Sequence, residues 1–160
     1  MPAHNSSSEY EQIKQKSYTR YTQLKPIYCP QLKEKVLFTG KGFWHIVYRS
    51  KGKKRDEAAQ VMRFRLLNKV HLLLSLTATL QEFDSYTGEF AVKDHGKKIM
   101  KLMTRQFFGY IVIIDGWKIK VIVRKDGNGK PYFWSVIPNW VTNKKRDGKF
   151  SNFTGSLEED

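Results

Sequence analysis

The sequence predicts an α+β protein in which an antiparallel sheet carries one long helix on a face. Two observations support this. Residues 55–76 keep the 3.6-residue apolar spacing of a helix with a buried face. Residues 107–138 hold three strand-like runs separated by turn sequences. The predicted chain order is strand, long helix and three-stranded meander, with a helical preface at the N-terminus.

The first segments of the chain predict a short helix and two extended stretches. In residues 8–24 the acidic side chains come first and the lysines later, which suits the dipole of a helix. Residues 25–30 are expected to be extended because residues before proline are biased away from the helix. Residues 31–38 are expected to form a strand, and the glycines of residues 39–42 a tight turn.

Residues 43–49 are predicted to form the next strand, on which the candidate site is centred. Side chains alternate between the two faces of a strand. His45 and Arg49 should therefore point the same way, with Trp44 and Ile46 on the opposite face.

The long helix at residues 55–76 is predicted to have two different halves. Its first half contains Arg55, Arg63 and Arg65, which we expect to return toward the strand that carries His45, with Arg55 and Arg65 as candidates to contact RNA phosphates. Its second half is apolar on most sides and should be almost surrounded by protein.

The remaining elements alternate between ambiguous and clear patterns. Residues 79–86 fit a strand or an extended connection, and residues 89–106 are compatible with a short helix capped by residues 94–96. The helix is suggested by one stripe of cations: Lys97, Lys98, Lys101 and Arg105. Strands are predicted at residues 107–114, 117–124 and 132–138, where Asp-Gly and Asp-Gly-Asn-Gly sequences indicate hairpins.

Composition limits the classes of function. The chain has 160 residues, a formal net charge of +14 and 40% hydrophobic residues. Residues 41–69 hold nine Lys or Arg against two acidic residues, a net charge of +7. Such a basic domain is typical of proteins that meet a polyanion, either a nucleic acid or an acidic protein. A solubilising excess of charge is the alternative explanation.

The same composition predicts a protein of the cytoplasm. A single cysteine, Cys29, excludes an intramolecular disulfide framework and a cysteine-based zinc cluster. No apolar run reaches membrane-spanning length, and the first residues are unlike a signal peptide. We expect three parts: a polar, helical extension at residues 1–24, the main domain at residues 25–143 and a tail at residues 144–160.

Several kinds of catalytic site have no motif in this sequence. It contains no glycine-rich phosphate loop, no HExxH zinc motif and no nucleophile elbow. Its carboxylates are scattered, with no pairing that would suit two metal ions. We therefore expect no metal and no cofactor.

Ribonucleases that need no metal use a base, an acid and cations. Histidine can serve as base or acid near neutral pH, and His45 is placed for that role. Arg49, Arg55 and Arg63 are candidates to stabilise negative charge on phosphorus. The alternative for His45 is a half-buried structural histidine among aromatic residues.

The predicted second and third strands of the meander add further candidates. Ser135 should share a face with Phe133 and is placed to hydrogen-bond a phosphate oxygen, although a small polar filler would look the same. Exposed aromatic residues are candidates to stack on bases of single-stranded RNA, namely Tyr132, Trp134 or Trp140. Three cations on one face of the second strand would either follow an RNA backbone or simply form a solvated face: Lys118, Lys120 and Arg124.

These motifs resemble a known family. KGFWHIVYRSKGKKRDEAAQVMRFRLL, followed after a hairpin by KPYFWSVIP, is similar to the phage- and toxin-associated branch of the barnase, EndoU, colicin and RelE ribonuclease superfamily. The match covers about residues 27–140. It rests on a histidine after a glycine turn, an arginine a few residues later, a basic amphipathic helix and an aromatic-Ser-Val strand.

The resemblance implies a toxin-like endoribonuclease, a hydrolase-type nuclease that cleaves RNA without metal to leave 2′,3′-cyclic phosphate and 5′-hydroxyl ends. It implies His45, Arg49, Arg55, Arg63 and Ser135 as its site. With no second histidine in the motif region, Lys118, Lys120 or Arg49 would assist the leaving group. Proteins of this superfamily are neutralised by a partner, and an acidic antitoxin or immunity protein would suit the basic surface. A non-catalytic nucleic-acid-binding module is the alternative, and a phage or mobile-element protein that docks an acidic partner is a third.

Overall fold

A computed structural model describes residues 8–49, 51–76, 80–114, 116–138 and 157–160. In these residues the chain forms three helices and six strands. The elements in chain order are α1 (Glu9–Thr22), β1 (Ile27–Cys29), β2 (Glu34–Val36), α2 (Gly40–Val47), α3 (Glu57–Leu76), β3 (Glu82–Asp94), β4 (Lys97–Ile114), β5 (Trp117–Asp126) and β6 (Tyr132–Pro138). A two-stranded sheet pairs β1 with β2, and a four-stranded antiparallel sheet has the order β3-β4-β5-β6. The α+β class is therefore confirmed.

Helix α1 confirms the helical preface predicted at residues 8–24. Ser8 is its N-cap, and the Ser8 hydroxyl accepts a hydrogen bond from the backbone N–H of Glu11 at 3.2 Å. Acidic residues in the first turn favour this end of the helix. At the other end Tyr21 is buried and donates to the carbonyl oxygen of Thr39 at 2.5 Å. This helix therefore contributes to the main core.

Helix α3 confirms the long helix predicted at residues 55–76. Val70, Leu73 and Leu74 have no solvent exposure. They share one core with residues of β5, which include Val121 and Val123. The apolar half of α3 thereby anchors the helix to one face of the four-stranded sheet, as the residue pattern predicts.

The meander of β4, β5 and β6 confirms the three predicted strands. The turn from β4 to β5 follows the pairing of Ile114 with Trp117, and Gly116 has a φ of +78° there. This left-handed backbone conformation favours glycine. Asp115, the other residue of the predicted turn, lies outside the described residues.

The helix predicted at residues 89–106 is wrong. This stretch belongs to a long hairpin of β3 and β4, with thirteen residue pairs from Glu82↔Gly109 to Asp94↔Lys97. Its turn consists of His95 and Gly96, whose φ angles are 48° and 79°. Two successive positive φ angles are typical of a two-residue hairpin turn that matches the twist of the strands. The stripe of cations is therefore not the face of a helix.

The strand predicted at residues 43–49 and the turn predicted at 39–42 are also wrong. Both fall on helix α2, which buries Gly42, Phe43, Ile46 and Val47. Spacings of one, three and four residues place them on one side of a helix. Gly42 packs against Phe133 so tightly that an added Cβ would meet the Phe133 ring at 2.8 Å. Packing against β6 therefore overrides the strand propensity of this aromatic and β-branched stretch.

The part of the four-stranded sheet formed by β5 and β6 is covered on both faces. The helices cover the face that includes Val121, whereas the other face carries a smaller apolar cluster around Phe107, Ile122 and Trp134. Leu157 closes that cluster and is 1% exposed. Within the described ranges, no helix combines the length and the apolar character needed to cross a bilayer.

Candidate functional site

The candidate site lies where α2 and the first half of α3 meet β6. His45 comes from α2, Arg63 from α3 and Ser135 from β6. Arg55 lies just before α3, and its backbone N–H donates to the carbonyl oxygen of Val47 at 2.9 Å. This bond folds the basic connection back on α2. The Arg55 guanidinium is thereby held beside His45.

A bulge in β6 decides which side chains face the site. The register pairs Ile122 with Ser135 but Val123 with Phe133, so Trp134 has no partner on β5. An extra residue of this kind disrupts the alternation of faces. Phe133 joins the main core, whereas Trp134 and Ser135 both make contacts on the opposite face. The expectation that Ser135 shares a face with Phe133 is therefore wrong.

His45 is the most constrained member of the site. It is 2% exposed, and its ring stacks on Trp134 with centroids 4.1 Å apart. Its Nε2 lies 3.2 Å from Nη2 of Arg55. A guanidinium can only donate, so Nε2 accepts this bond and the ring proton belongs on Nδ1.

The electrostatic surroundings keep His45 neutral. Burial, followed by the charges of Arg55, Arg63 and Arg124, lowers the pKa of His45 to about 2. Both causes disfavour the imidazolium, because it would be a cation away from water and among other cations. His45 is therefore a neutral hydrogen-bond acceptor throughout the physiological pH range.

The two arginines nearest His45 remain charged at neutral pH although both are removed from water. Burial is the main cause that lowers the pKa of Arg55 to about 10 and that of Arg63 to about 9. Repulsion between the two guanidinium groups contributes to the lower pKa of Arg63. Two desolvated cations side by side favour the binding of an anion.

Arg49 is close to this pair, but its side chain is exposed and does not share a strand face with His45. Its charge lowers the pKa of both Arg55 and Arg63. That effect places Arg49 near the arginine pair, in contact with solvent.

The site is occupied by an acidic segment of the same chain, residues 157–160, of sequence LEED. The backbone N–H of Leu157 donates to Oδ2 of Asp84 at 2.9 Å. The main-chain oxygen of Glu158 accepts from the Trp134 indole at 3.1 Å, and that of Glu159 accepts from Arg55 at 3.3 Å. Three successive residues are thus each fixed by a separate bond.

Asp160 makes the deepest contacts. Its main-chain oxygen accepts from Nη1 of Arg63 at 2.5 Å and from the Ser135 hydroxyl at 3.0 Å. Arg63 and Ser135 also contact each other at 2.7 Å. The Asp160 carboxylate pairs with the ammonium group of Lys120 at 2.6 Å, and Lys120 pairs with Glu82 at 3.1 Å. The pocket therefore presents two guanidinium groups, one hydroxyl and one ammonium to oxygen atoms.

The other predicted contact residues have different positions. Lys118 and Arg65 are exposed, and Arg65 lines an open groove of about 840 Å³ between α1 and α3 that His45 does not line. Arg124 is 6% exposed and bonds both carboxylate oxygens of Asp126, at 2.8 and 3.1 Å. It also lies over the Trp134 ring at 4.6 Å. Arg124 therefore supports Trp134 from behind.

Two expectations about exposed surfaces are consequently wrong. Trp134 is 7% exposed, so it cannot stack on a base while it holds His45 and residue 158. Lys120 has no exposed surface, so Lys118, Lys120 and Arg124 do not form a solvated strand face. Trp140, another candidate for stacking, lies outside the described residues.

The sequence interpretation missed the acidic partners of this pocket. Residues 157–160 were expected to belong to a tail, and Glu82 was assigned no role. One signal was present: three consecutive acidic residues follow a leucine in a chain whose net charge is +14. An isolated acidic run with an apolar neighbour indicates a segment that can bind a basic pocket of the same protein.

Within the described ranges, no three His, Cys, Asp or Glu side chains lie together as a set of metal ligands. Comparison with protein-family models, with curated proteins and with solved structures finds no match to this chain. Proposals about function therefore depend on the pocket itself.

Proposed function

We propose that this protein is a metal-independent, toxin-like endoribonuclease. It would cleave RNA by attack of a ribose 2′-hydroxyl on the adjacent phosphorus, leaving a 2′,3′-cyclic phosphate and a 5′-hydroxyl. One observation carries the proposal: Arg55, Arg63 and Ser135 converge on oxygen atoms of the acidic segment, beside the neutral His45. Groups that bind those oxygens have the chemistry needed to bind phosphate oxygens.

Arg63 and Ser135 would hold the phosphate that is cleaved. Both now donate to one oxygen atom of Asp160, which stands in the position we assign to a non-bridging phosphate oxygen. Negative charge increases on such oxygens as the 2′-oxygen attacks. Donors already fixed in a water-poor site stabilise that charge without reorganising.

His45 would accept the proton of the 2′-hydroxyl. Its Nε2 lone pair is bonded to Arg55 in the present arrangement. A phosphate bound by Arg55 would draw that guanidinium away and expose Nε2, and the added negative charge would raise the pKa of His45 from its low value. Lys120, whose ammonium group bonds Asp160 in the same pocket, is the donor we assign to the departing 5′-oxygen.

The test is incubation of the full chain with total RNA in excess EDTA, followed by analysis of the fragment ends. We expect cyclic-phosphate ends, and a decrease of about 10²- to 10⁴-fold in His45→Gln, the usual contribution of general acid–base catalysis. Arg63→Gln should decrease cleavage by about 10²-fold or more. Cleavage that survives both substitutions undiminished would assign the activity to a contaminant. Circular dichroism verifies that both variants are folded.

One observation favours a second candidate, a non-catalytic nucleic-acid-binding module of phage or mobile-element origin. His45 is buried, stacked and bonded to Arg55, which is also how a structural histidine is held. Under this alternative the protein retards RNA on a gel, with an affinity that falls steeply with salt because counterions are released. RNA would stay intact in every variant.

A further inference from the structure

We infer that the acidic segment, residues 157–160, is a built-in competitor that fills the pocket in place of the RNA phosphate. This inference rests on the proposed function, because it names what that function must displace. The protein would then exist in two states, one with the segment bound and inactive, and one with the pocket open to RNA.

The acidic segment is held by specific contacts along its whole length. Every one of its four residues has a specific contact, from Asp84 at Leu157 to Lys120 at Asp160. Lys120 has no exposed surface, and Arg55 is 7% exposed. A chance contact of a charged surface segment would leave such cations in water.

The acidic segment uses the same hydrogen-bond donors that the phosphate would need. Arg63 and Ser135 share one oxygen of Asp160, and Arg55 bonds the oxygen of Glu159. A phosphate cannot reach these donors while the segment is bound. The two occupants therefore exclude each other at the level of individual hydrogen bonds.

The acidic segment also has an apolar anchor that RNA lacks. Leu157 is 1% exposed and packs with Phe107, Ile122, Tyr132 and Trp134. Burial of a leucine side chain contributes through the hydrophobic effect, which salt does not screen. The acidic residues are thereby kept near the pocket even when ion pairs are weak.

The consequence is a measurable reduction of activity in the native chain. A pocket that is open for only a fraction of the time binds its ligand more weakly by that fraction. If the segment is bound nine-tenths of the time, release of the segment should raise the apparent affinity for RNA about tenfold. The same release should raise the cleavage rate at low RNA concentration by the same factor.

Two substitutions in the full chain test this. Leu157→Ser removes the apolar anchor, and Asp160→Asn removes the charge that pairs with Lys120. Glu11→Gln is the matched control, since it makes the same change from a carboxylate to an amide at an exposed position of α1, outside both the pocket and the β3–β4 hairpin. We expect about tenfold tighter binding of a 2′-deoxy oligonucleotide, which cannot be cleaved by this route, for both test variants and no change for the control.

A synthetic peptide with the sequence GSLEED, residues 155–160, provides the second measurement. Added as a separate molecule, it should inhibit oligonucleotide binding by the Leu157→Ser variant, whereas a peptide with Gln and Asn in place of its three acids should not. Equal oligonucleotide binding by the native chain and both test variants, with no effect of either peptide, would overturn the inference. Cleavage of RNA in that case would leave the proposed ribonuclease intact.

The reverse outcome separates the two proposals. If the variants bind the 2′-deoxy oligonucleotide more tightly but neither cleaves RNA, the competing segment is supported and the ribonuclease is not. Equal increases for Glu11→Gln and Asp160→Asn would assign the effect to net charge, which also overturns the inference.

Discussion

Two basic regions of this protein hold their cations in opposite ways. In the pocket, Lys120 has no exposed surface and Arg55 is 7% exposed, and each has a defined oxygen partner. In the outer part of the β3–β4 hairpin, Lys97, Lys98 and Lys101 are exposed. Desolvated cations interact strongly over short distances, whereas hydrated cations act over a distance that salt screens. Two regions of the same charge can therefore perform different tasks.

The apolar residues of the two regions differ in the same way. Leu157 and Phe107 are buried in one cluster beside the pocket, whereas Met100 and Leu102 on the hairpin are 62% and 69% exposed. The hairpin thus offers a mixed basic and apolar surface, and the pocket offers a dry site for one anion. In the proposed enzyme, the hairpin would attract RNA and the pocket would bind the phosphate that is cleaved.

The largest expected difference is in stability. Lys120→Met should lower the free energy of unfolding by about 2 kcal/mol, because Asp160 and Glu82 both lose the cation that they share. Lys98→Met, on the exposed hairpin, should change it by less than about 0.5 kcal/mol. Urea unfolding of both variants measures the two values. Equal effects would contradict the division between desolvated and hydrated cations.

The second prediction compares two histidines, one in each region. Because His45 in the folded chain has a pKa of about 2 and the unfolded value is near 6.5, its contribution to stability is complete above pH 6.5. That contribution decreases as the pH falls from 6.5 toward 2, since only the unfolded chain binds the proton there. At pH 5 the loss should be about 2 kcal/mol relative to pH 7.

The measurement is urea unfolding at pH 5 and pH 7 for the native chain and for His45→Phe, which keeps a ring to stack on Trp134. The variant should lose about 2 kcal/mol less on acidification than the native chain does. His95→Asn is the control at the hairpin turn, where the side chain is 96% exposed. An equal shift for His45→Phe and His95→Asn would contradict the assignment of the pH dependence to the buried His45.

The pattern of apolar residues was sufficient to predict α3, residues 107–114 of β4, and the strands β5 and β6. In α3 the burial of Val70 and Leu73 follows the 3.6-residue period, and in β5 Val121 and Val123 join the main core while Ile122 between them joins the cluster on the other face. Where one period extends over many residues, the prediction succeeds because burial alone decides the structure.

The two wrong elements are cases in which another force decides. Residues 43–49 have strand-forming side chains, yet the fit of Gly42 against Phe133 requires a helix there. In the β3–β4 hairpin, the cations happen to be spaced as on one face of a helix. The residues that indicate the hairpin are those of its turn. His95-Gly96 follows a short alternating run and can adopt two positive φ angles.

The candidate residues lie together although the element that carries His45 was predicted as a strand and is a helix. One pocket contains His45, Arg55, Arg63 and Ser135. Helix α2 packs on β6 and brings His45 against Trp134, which is where a strand paired with β6 would also have brought it close. The sequence could not reveal the bulge that turns Ser135 toward Arg63. The acidic run at residues 158–160 was visible in the sequence, but the cations that it contacts were not, because they come from distant parts of the chain.

The smallest expected effect concerns how RNA first approaches. Changing Lys97, Lys98 and Lys101 together to Gln should reduce the slope of log affinity against log salt concentration by about 2, from three lost phosphate contacts with single-stranded RNA. In a Leu157→Ser chain, this triple substitution should lower the affinity for RNA about tenfold at low salt and very little at high salt, because the hairpin cations are hydrated and screened. Arg63→Gln in the same background removes one desolvated donor and should weaken binding at every salt concentration, with a slope change of about 1 or less. Filter binding across a salt series distinguishes the two. An unchanged slope in the triple variant would exclude the hairpin from RNA binding and assign the electrostatic attraction to the pocket side of the molecule.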